Sequence, residues 1–201
     1  MPNYVYSTLS LEGSKDDIKR FREKFEEKGS LIATKVIPYP RELELLDKKE
    51  NEKELTNEEE KELILIGLEG KYDMSKGGYN QGGYNWCIEE WGTKWGFCYC
   101  SVSEESDDYL LYEFSTAWSP INRVIIEMSK QFPNITLDYF CDEESGAFRD
   151  EVTYLNGIET AFEDKTYECD EERRQEEEDY KLGEEENKRR MDDKMKEKNN
   201  G

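Results

Sequence analysis

"YLLYEFSTAWSPINRVIIEMSKQFPNITLDYFCD", residues 109–142, changes period twice in 34 positions. Its first ten residues are mostly aromatic and aliphatic with no helix-breaking punctuation, and they read as a strand. From Ser119 the spacing becomes helical, with Ile121, Val124, Ile125, Met128 and Phe132 on one face. Ser119 is expected at the N-cap and Pro120 in the first turn. After Pro133 the alternation of Ile135, Leu137, Tyr139 and Cys141 restores the period of a strand. A strand–helix–strand unit is therefore expected here.

Working outward, "KWGFCYCSV" (94–102) reads as a further strand, joined to the unit by the turn "EESDD" at Glu104 to Asp108. Near the N-terminus, "NYVYSTLSLEG" sets Val5, Ser7, Leu9 and Leu11 against Tyr4, Tyr6 and Thr8, the pattern of a half-buried strand. "SKDDIKRFREKFEEKG" follows as a helix. Ser14 and Asp17 form its cap, Ile18, Phe21 and Phe25 its apolar face, and Gly29 its end. The order is βαββαβ, so the fold class is α+β: a ferredoxin-like core, with a helical layer on one face of a mainly antiparallel sheet. "EVTYLNGIETAF" adds a C-terminal hairpin through Asn156-Gly157.

Between the first helix and the central strands lies an insertion. "SLIATKVIPYP" reads as extended. Residues 41–70 read as two helical pieces separated by the surface stretch "DKKENEKE", the second starting at Thr56 with Glu59 as reciprocal cap and with Leu63, Ile64 and Leu68 inward. "SKGGYNQGG" reads as flexible punctuation, followed by a short helix from Trp86 to Trp91 ended by Gly92. The domain is expected over 1–162, with the helical insertion at about 41–70. Residues 163–201 form a highly charged tail: a solvated helix, a disordered segment that orders on a partner, or a solubilising extension.

Charged residues make up 38% of the 201, and the formal net charge is −21. That balance opposes direct binding to nucleic acid or an anionic membrane and favours a partner with a basic surface. No secretory leader or membrane-spanning run is expected, and the five cysteines follow no disulfide-scaffold spacing, which suits the host cytoplasm. Histidine is absent, removing the commonest general base and metal ligand. "GGYNQGG" lacks the Lys-Ser/Thr of a phosphate-binding loop. Cys98 and Cys100, expected on one side of a strand, would with Cys87 and Cys141 make a four-thiolate set, but without zinc-ribbon spacing they read as core. No catalytic set, metal or cofactor is expected.

The ordered blocks "MPNYVYSTLSLEG", "IPYP", "YNWCIEEWGTKW", "FSTAWSP" and "FP" resemble phage- and plasmid-borne proteins with a YubB-type ferredoxin-like domain, over about residues 1–160. The resemblance implies a ferredoxin-like fold without an iron–sulfur cluster, a mobile-element context, and no transferable catalytic residues. Glu90 stands where that family usually has Asn, and the charged tail has no counterpart in it.

Two candidate surfaces emerge. One is acidic: Glu104, Glu105, Asp107 and Asp108, with Asp142, Glu143 and Glu144, both expected in solvent-facing connections. The other is a Trp-rich edge: Asn85, Trp86, Glu90, Trp91, Thr93, Lys94, Trp95 and Trp118, in which Lys94 is expected to stack on a ring or pair with Glu90. The leading expectation is a non-enzymatic accessory protein that inhibits a host nucleic-acid-binding defence protein by presenting an acidic, nucleic-acid-like surface. One alternative is a small-ligand or nucleotide module at the Trp edge. The other is a carboxylate enzyme dependent on a divalent ion, drawing on Glu89, Glu90, Asp142, Glu143 and Glu144. Oligomeric state is left open.

Overall fold

A computed structural model describes residues 3–166 and 174–175. Strand β1 (Tyr4–Glu12) leads into helix α1 (Lys15–Phe25), capped by the Ser14 hydroxyl, which accepts from the Asp17 amide. The helix stops at Phe25, four residues before the expected Gly29, because Glu26 is held in place: its carboxylate accepts from the Arg22 guanidinium (2.8 Å) and the Tyr112 hydroxyl (2.7 Å). A two-residue ribbon follows, β2 (Glu26–Glu27) with β3 (Ser30–Leu31). The segment expected to be extended then makes a single turn, α2 (Ala33–Val36).

The insertion contains α3 (Arg41–Glu50), α4 (Asn57–Glu69), a 3₁₀ turn (Tyr79–Gln81), and α5 (Gly83–Trp86), which runs into a π-helical turn (Cys87–Trp91). Thr56 and Glu59 form the expected capping box, and Gly92 ends the last turn in the left-handed region. Glu59 also takes Lys48 and Arg41, and Lys48 above all holds its pKa down to about 2.

Three expectations for the insertion fail. On α4, Leu63 and Ile66 are buried beside Leu45, whereas Ile64 and Leu68 face solvent. The "DKKENEKE" stretch is not all surface: Asp47 to Glu50 belong to α3, and Asp47 accepts from the Tyr39 hydroxyl and the Tyr79 amide. Nor is the glycine-rich stretch loose. A Cβ on Gly78 would lie 2.2 Å from the Leu43 carbonyl oxygen, so only glycine lets this chain pass against α3.

The central strands are β4 (Cys98–Glu105) and β5 (Tyr109–Ala117), followed by α6 (Asn122–Gln131), β6 (Thr136–Glu143), β7 (Arg149–Leu155) and β8 (Ile158–Asp164). The sheet order is β4-β5-β1-β6-β7-β8, with every pairing antiparallel. Its first four strands have the ferredoxin-like arrangement, and the β7–β8 hairpin extends the β6 side. Asn156 and Gly157 both take positive φ in the hairpin turn, as their sequence requires. β8 runs two residues past the expected boundary at 162; the question of a helical or disordered tail falls outside the described residues.

Ser119 does not cap α6. Ile121 occupies that position without a side-chain bond, and the Ser119 hydroxyl donates to the Gly92 carbonyl instead. The expected apolar face of α6 is buried throughout. With α1 it covers one side of the sheet, where Phe21, Phe25 and Phe132 meet edge-on at 5.0–5.4 Å.

Candidate interaction surface

The alternation of β1 sorts the sheet into two faces. Val5, Ser7, Leu9 and Leu11 lie across from Thr116, Phe114, Tyr112 and Leu110 on β5 and from Glu143, Cys141, Tyr139 and Leu137 on β6, all buried. The intervening residues, Tyr6, Thr8, Ser10 and Glu12, lie across from Ser115, Glu113, Leu111 and Tyr109 and from Asp142, Phe140, Asp138 and Thr136. This second face carries rings and carboxylates together. Asp142 is paired with Arg149 (2.9 Å), and Glu151 and Glu163 share Lys165. Glu12, Glu113 and Asp138 form no ion pair among the described residues; Asp138 accepts only from the Thr153 hydroxyl (2.6 Å).

A bulge shapes the β4 edge of that face. Cys98 is opposite Ser115 and Ser101 opposite Glu113, so three steps on β4 match two on β5. The extra residue, Tyr99, has φ 53°, is 81% exposed, and packs edge-on to Tyr4 with centroids 6.0 Å apart. Bulges re-aim side chains. Here the ring joins Tyr6, Thr8, Ser101, Glu113, Ser115 and Phe140 around a concavity of about 310 Å³. The expectation that Cys98 and Cys100 share one side fails for the same reason. Cys100 is half-buried on the other side, its sulfur accepting from the Leu31 amide, while Cys98 lies across from Ser115.

The two acidic stretches predicted from sequence are not one surface. Glu104, Glu105, Asp107 and Asp108 are exposed at the β4–β5 tip, where Glu105 pairs with Arg22 (2.7 Å) and Asp107 with Lys15 (2.9 Å). Asp142, Glu143 and Glu144 lie at the opposite end of β1, about 23 Å away at the usual rise per strand residue. They are also not free, contrary to expectation. Glu143 is 5% exposed and accepts from the Asn3 amide (2.9 Å), the Ser145 amide and hydroxyl, and the Ala147 amide (3.2 Å). These bonds, the Ser145 hydroxyl first, hold its carboxyl below the usual range. Glu144 accepts from the Tyr4 amide (2.9 Å).

The Trp-rich edge divides in two. Trp91 is buried and donates its indole N–H to the Ile37 carbonyl (3.0 Å). Thr93 is fully buried and donates to the Ala117 carbonyl (2.8 Å), and Trp86 is half-buried, edge-on to Tyr39 and Trp91. These three are scaffold. Lys94 lies over both Trp95 (4.6 Å) and Trp118 (4.4 Å) and makes no ion pair with Glu90, which is exposed. Trp118 is 45% exposed at φ 72°, its amide donating to the Asn3 carbonyl. Asn85 is exposed, and with Tyr79, Asn80, Gly82, Tyr84 and Lys94 it lines a concavity of about 350 Å³.

Comparison with known proteins agrees with the sheet order. Residues 94–190 match a family described as the ferredoxin-like domain in Api92-like protein. A crystal structure of a protein api92 from Yersinia pseudotuberculosis superposes with a TM-score of 0.51 at 7% sequence identity, covering 82% of this chain and 98% of that one. At that identity the likeness is one of fold. No curated protein matches the chain. The Api92-like match contains β4 to β8 and Lys94, Trp95, Glu113, Trp118 and Phe140. β1 and α1 complete the ferredoxin-like core from outside it.

Burial governs the thiols. It pushes Cys87 and Cys100 up to about 11 and Cys141 to about 12, so each stays protonated and weakly nucleophilic at neutral pH. Among the described residues no group of three or more Cys, Asp or Glu is placed to hold a metal ion, and no helix is long and apolar enough to cross a membrane. The sheet-face residues Tyr6, Glu113 and Phe140 are not among the candidates that the sequence singles out. For Tyr6 and Phe140 the signal is an aromatic side chain at an outward position of a strand whose alternation is legible, β1 or β6; for Glu113 no alternation is read from the sequence of β5.

Proposed function

We propose that the protein is a mobile-element accessory protein that binds a basic, nucleic-acid-contacting surface of a host protein, and thereby inhibits it, through the uncovered face of its sheet. The observation that carries this reading is the set of carboxylates, Glu12, Glu113 and Asp138, that have no cationic partner among the described residues and lie among exposed rings on a face over which none of the described helices packs. Ferredoxin-like sheets that stack nucleic-acid bases combine rings with a basic surround. Here the rings have an acidic surround, which repels phosphate and attracts the Lys and Arg that would contact it. The net charge of −21 adds long-range attraction to the same partner. The YubB-type resemblance implies a mobile-element context, and in this reading the protein acts in the host cytoplasm. The exposed β4–β5 tip steers the approach.

The test is capture from a bacterial lysate with the wild-type protein and with a Glu12→Gln, Glu113→Gln, Asp138→Asn variant. The expected result is a nucleic-acid-binding protein that is retained at physiological salt, released at high salt, competed off by its own nucleic acid, and lost with the variant. Equal capture by both proteins overturns the reading.

A second reading places a small ligand at the Trp edge, favoured by the concavity around Asn85 and Lys94. Nucleotide-dependent quenching of tryptophan fluorescence, abolished by Trp118→Ala, would support it. No quenching would exclude it.

A further inference from the structure

We propose that the concavity beside the Tyr99 bulge receives a single arginine side chain of the partner, an inference that rests on the reading of the open sheet face as a basic-protein site. Glu113 is the one charged residue lining this concavity, and it has no hydrogen-bond or ion-pair partner among the described residues. Its wall is built from rings: Tyr6 at 56% exposure, Tyr99 at 81%, and half-buried Phe140. Ser115 is on the floor, 7% exposed although its strand position is on the uncovered face.

The chemistry of that wall selects the ligand. A lone carboxylate in an aromatic-sided recess attracts cations and repels phosphate. Among protein cations, the guanidinium is planar, stacks on ring faces and bonds a carboxylate through two parallel N–H groups. A lysine ammonium is more strongly hydrated and offers no plane to stack. The volume of about 310 Å³ admits a side chain of that size with water remaining.

The backbone gives independent support. Tyr99 takes a left-handed φ of 53°, a conformation unfavourable for a bulky residue, in a bulge that places its ring over the recess. A glycine would relieve that strain, so what the position gains from tyrosine is the ring. Tyr4 holds the ring edge-on, which fixes one side of the recess before a ligand arrives.

The test uses the full chain and ¹H–¹⁵N spectra, titrated with a short peptide carrying one arginine and with counterparts carrying lysine, citrulline or phosphoserine in its place. Shifts at Tyr6, Tyr99, Glu113 and Phe140 are expected with arginine, more weakly with lysine, and not with citrulline or phosphoserine. Glu113→Gln should weaken arginine binding by about tenfold or more while leaving the melting transition unchanged. Tyr99→Ala should also weaken it. Equal binding of citrulline, or equal binding by Glu113→Gln, overturns the arginine site. If that happens while the triple variant still loses the captured protein, the open-face reading stands and only the recess assignment falls. If arginine binds here but capture is indifferent to the face, the reading of the partner falls.

Discussion

Leu9 and Thr8 are adjacent on β1, yet their side chains enter different environments. Leu9 lies beneath α1 and α6 among Tyr112, Tyr139 and Phe21, with no solvent exposure. Thr8 lies on the other side, between Glu113 and Phe140. Both faces of the sheet carry aromatic rings, so ring content alone does not distinguish core from contact surface. Polar company does. Inside, the Tyr139 hydroxyl is shared with Ser7 and takes the Ile121 amide, and Tyr112 donates to Glu26, so the polar atoms are matched. Outside, Glu113 has no such partner among the described residues, and leaving it so costs little only because water reaches it.

The contrast can be broken by substitution. The largest effect belongs to the covered face: Phe21→Ala should cost ~3–5 kcal/mol in chemical denaturation, since the ring is fully buried against Phe25 and Phe132. A loss below about 1 kcal/mol would mean that α1 is not packed as described.

Glu143→Gln comes next. It weakens the bonds that close the β6–β7 connection and should cost about 1–3 kcal/mol. The folded-state pKa is lowered from 4.5, so this stability is present above the unfolded value and lost as pH falls through the folded one. Acid titration of thermal stability should therefore be shallower below pH 4.5 in the variant than in the wild type. Equal slopes would remove Glu143 from this role.

Trp118→Ala should cost about 1–2 kcal/mol, because only part of the ring is covered. Trp118→Gly should be no worse than Ala, since φ 72° suits glycine and strains alanine. A loss of ~3–5 kcal/mol would indicate a fully buried ring and would end the Trp-edge reading. At the small end, Glu113→Gln should change stability by no more than about 0.5 kcal/mol. A larger loss would mean that Glu113 has a structural partner.

Much of the fold was legible because local and tertiary demands agreed. The inward sets of β1, α6 and β6 follow their periods, and Thr56 with Glu59 announces α4 by its capping chemistry. Where several faces are apolar, periodicity misleads: "LILIG" on α4 offers apolar side chains almost all round, so Ile64 and Leu68 read as inward, and only the position of α3 decides that Ile66 goes in and Ile64 out. The Tyr99 bulge was invisible because no glycine marks it. The acidic stretches misled because charge does not reveal its partner. "EESDD" does lie in solvent, whereas in "DEES" Glu143 is a buried latch.

Hydrogen–deuterium exchange of the protein bound to an arginine-rich peptide tests most directly whether the uncovered sheet face is the recognition surface. The prediction is new protection along the outer strands at β4 and around Tyr99, with line broadening in matched spectra at Tyr6, Glu113 and Phe140. Protection confined to α4 around Ile64, Leu65 and Leu68, or to the β4–β5 tip alone, would contradict it.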